Sequence, residues 1–216
     1  MAASLGSRQT PPALAAVFDR LAGCRTRSFA PGAEIFGEGE PADFVYRVLS
    51  GVVRTYRLLS DGRRQICDFL HPGDILGPEA ALAHRNTAEA VTEAVLQAIP
   101  RRALAEAAES DAPLAGDLWR LSVNWFQRSE DHAMVLARQG AVERVVCFLL
   151  AYAARVGAER EFDLPMTRQD IADHLGLTIH TVSRTMSQLQ ADGLVQLESL
   201  RHVRLCSLPD LQAISA

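Results

Sequence analysis

The sequence predicts an α+β protein: a jelly-roll β domain, a long helix and a C-terminal winged helix-turn-helix. Three observations predict it. Between residues 29 and 109, short apolar runs alternate with glycine and proline turn signals. Between 114 and 135, apolar residues recur at 4-3 spacing. Residues 167–195 carry two short amphipathic helical patterns joined by a glycine. At 216 residues the chain has room for one or two domains and for a core that needs no disulfide or metal.

Composition excludes several classes. Hydrophobic residues make up 48% and charged residues 22%, which is globular rather than disordered or fibrous. No apolar run approaches the ~18 residues of a membrane span. Residues 1–12 are small and polar with no apolar core, so no secretory signal is expected there. Cys24, Cys67, Cys147 and Cys206 stand far apart with no CxxC, which argues against a zinc ribbon and for reduced thiols in the cytoplasm. All 22 basic residues are arginine, against 26 acids, for a net charge of −4. That balance excludes a non-specific polyanion binder but leaves room for one local basic face.

In chain order, residues 1–28 read as a tail and a short helix, with Leu14, Val17, Phe18 and Leu21 at helical spacing. Residues 29–109 form the jelly-roll domain, with strand-like runs at 44–49, 52–58, 65–70 and 88–100, a hairpin signal at Asp61-Gly62, and a helix over 101–109. Residues 110–137 form the long helix. Leu114, Leu118, Leu121, Trp125, His132 and Val135 make a seam about three heptads long, with Arg128 in the missing slot. That seam is expected to face a second copy of the chain; packing on the helix's own domain is the alternative.

Residues 138–216 form the last unit. A helix bearing Val142, Val145, Val146, Leu149, Leu150 and Ala153 is expected to end near Gly157, followed by a charged connector at 159–163. In 167–195, Thr167 and Asp170 have capping-box spacing, and Ile171, Ala172 and Leu175 form a buried side. Gly176 permits the sharp reversal, and Thr178 caps a second helix whose Val182, Met186 and Leu189 face inward. Strand-like runs at 194–198 and 202–207 then form a wing.

The chemistry of the second helix suits a major groove. Ile179, His180, Ser183, Arg184 and Ser187 point outward. Arg184 matches guanine O6 and N7, Ser183 a base or a phosphate, and Thr178, Thr181 and the helix N-terminus suit phosphates. Arg201 and Arg204 in or near the wing are candidates for backbone contact. Residues 166–204 hold four arginines and four acids, so placement rather than bulk charge carries this expectation.

A β-roll, a long helix and a winged helix-turn-helix, in that order, resemble the Crp/Fnr family of bacterial transcription regulators over roughly residues 20–208. The stretch 31–77, with Gly32, Gly39, Gly51, Gly62, Gly73 and Gly77 at its turns, looks like the family's cyclic-nucleotide-binding-type β-roll. LGLTIHTVSR (175–184) is similar to its recognition element G-x-[TS]-x-E-T-[VI]-S-R. The Thr-Val-Ser-Arg ending and the absent effector motif look closest to the FixK branch, which controls oxygen-limited respiration, nitrogen fixation and denitrification genes. The resemblance implies a homodimer on an inverted-repeat, TTGAT-like site in double-stranded DNA and activation through contact with RNA polymerase; repression by occlusion is equally compatible with the residues, and no membrane is expected.

Three departures shape the mechanism. The cyclic-nucleotide cassette needs a Gly-Glu pair and then an Arg-Ser or Arg-Thr pair, whereas residues 77–91 read GPEAALAHRNTAEAV. Glu79 is displaced by Pro78, and Arg85 comes early and precedes Asn86, so no effector or cofactor is expected. A single N-terminal cysteine, Cys24, does not build the family's [4Fe–4S] site. Cys67 and His71, four apart, read as a core thiol and a surface histidine rather than a haem pair; gating by a small ligand or haem in the β-roll is the alternative. Cys147 reads as buried, and Cys206 as the thiol to watch for redox control. His180 stands where the family has Glu: imidazole can donate to a purine N7 but cannot accept from cytosine N4 as a carboxylate does. No catalytic constellation appears: His71 and His84 are the only histidines of the β-roll and form no H-x-H pair.

Overall fold

The structure is a computed structural model that describes residues 10–21, 23–79, 81–199 and 201–215. The chain divides into two compact units, with the division between Arg128 and Ser129 inside the long helix.

In the first unit, α1 (Pro12–Arg20) precedes eight strands: β1 (Arg25–Phe29), β2 (Glu34–Phe36), β3 (Phe44–Ser50), β4 (Val53–Leu58), β5 (Arg64–Leu70), β6 (Ile75–Leu76), β7 (Thr87–Ala90) and β8 (Ala94–Pro100). They form two antiparallel four-stranded sheets, ordered β1-β8-β3-β6 and β2-β7-β4-β5, as a jelly roll requires. The expected run at 88–100 is two strands: the Val91 amide turns inward to bond Val52 O at 2.7 Å, so the chain leaves one sheet and enters the other. The short strands β1, β2 and β6 had too few alternating apolar residues to read from sequence. β1 pairs fully with β8, so the roll begins at Arg25, before the expected boundary at 29.

The roll is filled by side chains. Ile35, Phe36, Tyr46, Val48, Val53, Leu70, Leu76 and Leu96, with the small Ala88, Ala90, Ala94 and Ala98, make one buried cluster. Alternating large and small residues let the two sheets interdigitate at crystal-like density. Gly51 marks the closest backbone approach: its φ is +80°, and a Cβ there would sit 2.2 Å from Glu93 O.

A second cluster joins the roll to helices. Leu14, Val17 and Phe18 of α1 meet Val45, Ile75 and Ile99, with Leu104 of α2 (Arg101–Ser110) and Leu114 of α3 (Ala112–Ala137). The first turn of α1 has no cap of its own, since Pro11 precedes it. Asp117 supplies one from α3: its Oδ2 accepts from the Ala13 and Leu14 amides at 2.8 and 3.1 Å, while Arg120 pairs with its other oxygen. The buried carboxylate is thus fully engaged, and α1 is stapled to α3 across about a hundred residues.

The second unit contains the last turns of α3, then α4 (Ala141–Val156), β9 (Glu161–Asp163), α5 (Arg168–Leu175), α6 (Ile179–Ala191), β10 (Val195–Leu197), β11 (His202–Leu205) and α7 (Leu208–Ser215). α4 ends as expected at Gly157, in the left-handed region. It buries Val145, Val146, Phe148, Leu149, Tyr152 and Ala153, whereas Val142 and Leu150 are not fully covered. The connector at 159–163 supplies β9, and the wing is a three-stranded sheet ordered β10-β11-β9. Phe162, between two acids, is the residue that anchors it, packing against Tyr152. α7, unforeseen, packs on α4 and buries Leu211. No helix among the described residues is long and apolar enough to cross a membrane.

Candidate nucleic-acid interface

The helix-turn-helix is fixed by local chemistry at every joint. Thr167 Oγ1 accepts from the Asp170 amide at 3.1 Å, and Asp170 Oδ2 accepts from the Thr167 amide at 3.0 Å: a reciprocal capping box. Gly176 closes α5 with φ +62°. Thr178 Oγ1 accepts from the Thr181 amide at 3.1 Å and starts α6. Val182, Met186 and Leu189 are buried, against an α5 that buries Ile171, Ala172 and Leu175. Gly193, at φ +69°, turns the chain into the wing.

With that face inward, the opposite face of α6 is left to solvent. Thr178, Ile179, His180, Ser183, Arg184 and Ser187 are exposed, and Thr181 is half-buried beside its capping partner. Ser183, Arg184, Ser187, Gln188 and Ala191 line an open surface hollow. His180 and Arg184 are one helical turn apart, so one donor-rich edge runs along the helix from its N-terminus. No acid occupies the first turn of α6, leaving the positive end of its dipole uncompensated. The arrangement offers a guanidinium, an imidazole, three hydroxyls and a helix N-terminus on one exposed, rigid surface, which is the donor set a duplex demands.

In the wing, Arg201 is exposed at the tip. Arg204, expected beside it, is committed elsewhere: it faces Glu161 across the β11–β9 register and forms an ion pair with it. The overlooked strand β9 is what supplies that acid. His202 also turns to β9, with Nδ1 2.8 Å from Asp163 Oδ1 and Nε2 3.7 Å from Glu198. The Asp163 hydrogen bond, with the charges of Asp163, Glu198 and Glu161 behind it, holds the His202 imidazole above its ordinary pKa.

Along the long helix, the residues of the expected second-copy seam also have partners within the chain. Leu114 is 0% exposed, and Leu118 and Leu121 pack on the same intramolecular cluster. Arg128 bonds Asp68 at 2.9 Å and Asp74 at 3.4 Å, within its own unit. His132 stacks on His174 of α5. Trp125 and Val135 are half-buried. Within the single chain the stripe is thus covered fully at Leu114 and in part along the rest, by the β-roll cluster and by α5. The exposed apolar residues of α3 are others: Trp119 at 72%, Phe126 at 64% and Met134 at 68%. Trp119 and Phe126 are one heptad apart, a signal present in the sequence but overshadowed by the longer leucine stripe.

In the β-roll, the segment after Gly77 is closed by its own residues. Glu79 Oε2 lies 3.1 Å from His84 Nδ1, and the buried His84 ring stacks on Phe36 with centroids 3.6 Å apart. Arg101 Nη1 donates to Glu79 O at 2.8 Å and to Ala81 O. Arg85 is exposed. Of the residues weighed for haem, Cys67 is half-buried, with its thiol pushed up chiefly by burial. His71, expected at the surface, is buried, since the β5–β6 turn folds it in, its amide bonded to Asp74. Cys147 is half-buried rather than buried, its thiol also raised by burial, and Cys206 is exposed. Among the described residues no group of three or more His, Cys, Asp or Glu is placed to hold a metal.

Comparison with known proteins agrees with this geometry. Residues 26–111 match a cyclic nucleotide-binding domain, and residues 143–214 a Crp-like helix-turn-helix domain. The chain is 48% identical over 182 residues to the nitrogen fixation regulation protein FixK of Azorhizobium caulinodans, covering 82% of this chain and 73% of that protein. It is 41% identical over 187 residues to the FixK protein of Rhizobium meliloti, covering 87% and 85% respectively. The solved structure of FixK2 from Bradyrhizobium japonicum superposes with a TM-score of 0.86 at 40% identity, covering 90% of this chain and 98% of that one. The chain therefore belongs to the Crp/Fnr family of DNA-binding transcription regulators, in its FixK-like branch.

Proposed function

We propose that this regulator binds an inverted-repeat DNA site as a homodimer, without a small-molecule effector, and controls genes of nitrogen fixation, oxygen-limited respiration or denitrification. The single observation that carries the reading is the exposed, donor-bearing face of α6, held rigid by caps at Thr167 and Thr178 and backed by a full core. The identity with FixK regulators supports the class of genes.

In this reading Arg184 pairs with a guanine, Ser183, Ser187 and His180 approach neighbouring bases, and Thr178, Thr181, Ile179 and Arg201 pack on or bond the backbone. The half-site is TTGAT-like, with a changed preference at the base pair facing His180, where a donor replaces a carboxylate. The second copy docks on Trp119, Phe126 and Met134, the apolar residues of α3 left exposed in one chain. Two-fold symmetry then spaces the half-sites about one helical turn, ~34 Å, apart. The effector-free state is supported by Glu79 and His84 bonding each other, and by Arg85 pointing to solvent. The protein would work in the cytoplasm, where its DNA and RNA polymerase are.

The test is selection from random duplexes with purified, ligand-free protein at a stated salt concentration. Recovery of a TTGAT-like inverted repeat, altered at one position per half-site, is expected. Failure to enrich any site without an added nucleotide or haem would refute the effector-free reading.

A further inference from the structure

An α-helix ends with carbonyls that have no partner inside the helix. At the end of α5, Ala172 O takes the Gly176 and Leu177 amides, the latter at 2.9 Å. The last two carbonyls of α5, His174 O and Leu175 O, are met by side chains from two other helices. His132 Nε2, on the last turns of α3, is 2.8 Å from His174 O. Its ring lies flat on the His174 ring, with centroids 4.0 Å apart and planes 11° apart. Phe148 of α4 meets the His174 ring edge-on, with centroids 5.8 Å apart. Arg144 of α4 donates Nη1 to Leu175 O at 3.1 Å and Nε to Arg138 O at 2.9 Å. A Cβ at Gly176 would already be 3.6 Å from Arg144 Nη1 and from Leu136 Cδ2, so these groups sit directly over the turn.

Both groups are donors, and both are aimed at the negative end of the α5 dipole. An imidazole carrying its proton on Nε2 donates this bond whether neutral or charged, and the guanidinium donates always. Between them they fix two consecutive carbonyls, the last before the three-residue turn that decides where α6 begins. The caps at Thr167 and Thr178 hold the far end of α5 and the near end of α6; within the turn, Gly176 and Leu177 bond Ala172 O, and His132 and Arg144 take the two carbonyls beyond it.

We propose that His132 and Arg144 are positioning residues for DNA reading. They clamp the C-terminal carbonyls of α5 to α3 and α4, and so set the angle at which the donor face of α6 is presented. This rests on the DNA-binding reading above, and the experiment is arranged so that each can fail separately.

The first arm needs no DNA. Amide hydrogen exchange at Gly176, Leu177 and Thr181 is compared in the full-length wild type, His132→Leu, His132→Gln and Arg144→Met. Loss of one charge-assisted or buried hydrogen bond predicts exchange about tenfold faster at these amides in His132→Leu and in Arg144→Met. His132→Gln, which keeps a side-chain N–H at similar reach, restores most of the protection. The second arm measures affinity for the selected inverted repeat at fixed salt: about tenfold weaker in His132→Leu, and recovered in His132→Gln. Thermal melting accompanies both arms. If His132→Leu unfolds the unit, the comparison of Arg144→Met with Arg144→Lys, which keeps a donor, replaces it. Unchanged turn exchange in the leucine variant overturns the clamp. Faster exchange with unchanged affinity overturns its role in positioning. A wild type that binds no selected duplex refutes the DNA reading, while the exchange arm still decides whether the clamp exists.

Discussion

α3 and α6 are both amphipathic helices with a clear apolar stripe, yet the stripes have different fates. On α6 the stripe meets α5, the neighbour four residues earlier in the chain, and the outward face is the one expected. On α3 the longer stripe, from Leu114 to Val135, is expected to meet a second chain; in the single chain Leu114, Leu118 and Leu121 pack on the β-roll cluster and His132 on α5, while Trp125 and Val135 stay half-buried. Periodicity says that a face is covered; it does not say by what. A short helix between two caps is enclosed by its own unit: α5, α4 and β10 all pack on α6. A 26-residue helix that follows a whole domain has several available partners, and the nearest wins because association within one chain carries no translational cost.

The contrast can be broken most severely at Leu114. Leu114→Ala should destabilise the β-roll by about 2–5 kcal/mol, since it opens a cavity between α1, α3 and β3. Chemical denaturation of the isolated variant measures this. A loss below ~1 kcal/mol, accompanied by dissociation of a dimer, would return Leu114 to the seam.

The next largest effect belongs to the reader helix. Arg184→Ala should weaken binding to the selected duplex by about 1–3 kcal/mol, with relaxed preference at one guanine and unchanged melting of the protein. Fluorescence anisotropy against site variants reads both. Equal weakening on every sequence would make Arg184 a phosphate contact instead.

The smallest effect is in the wing. His202 has a folded-state pKa raised above its ordinary 6.5 by Asp163. Its stabilising pair with β9 is therefore fully present below the unfolded pKa and is lost as pH rises through the raised folded value. Protection factors in β9 and β11, with exchange corrected for its intrinsic pH dependence, should fall modestly from pH 6 to pH 8, and Asp163→Asn should abolish that fall.

Much of this was legible in the sequence, for reasons that differ by region. The helix-turn-helix was readable because its determinants are local: a capping box three residues long, a glycine in the turn, and apolar spacing on each side. The β-roll was readable as a class from its turns, but not strand by strand. β1, with Arg25, Arg27 and Ser28, has almost no apolar signal and is a strand because β8 offers it a full register. β9 reads as a charged linker and is a strand because Phe162 docks on Tyr152 while Glu161 and Asp163 meet Arg204 and His202. The Asp117 cap on α1 joins residues about a hundred apart, and no spacing rule reaches that far. Of the candidate site, the outward face of α6 and Arg201 lie where they were expected. Arg204 does not, because its partner lies on the strand that went unseen.

The most direct test is the mass of the complex on the selected inverted repeat, by analytical ultracentrifugation, for wild type and a Trp119→Glu/Phe126→Glu double variant. Wild type should add two chains of 23.5 kDa per duplex. The double variant should melt like wild type, sediment alone as a single chain and bind the repeat more weakly, one half-site at a time. A double variant that still binds as a pair with wild-type affinity would contradict the account.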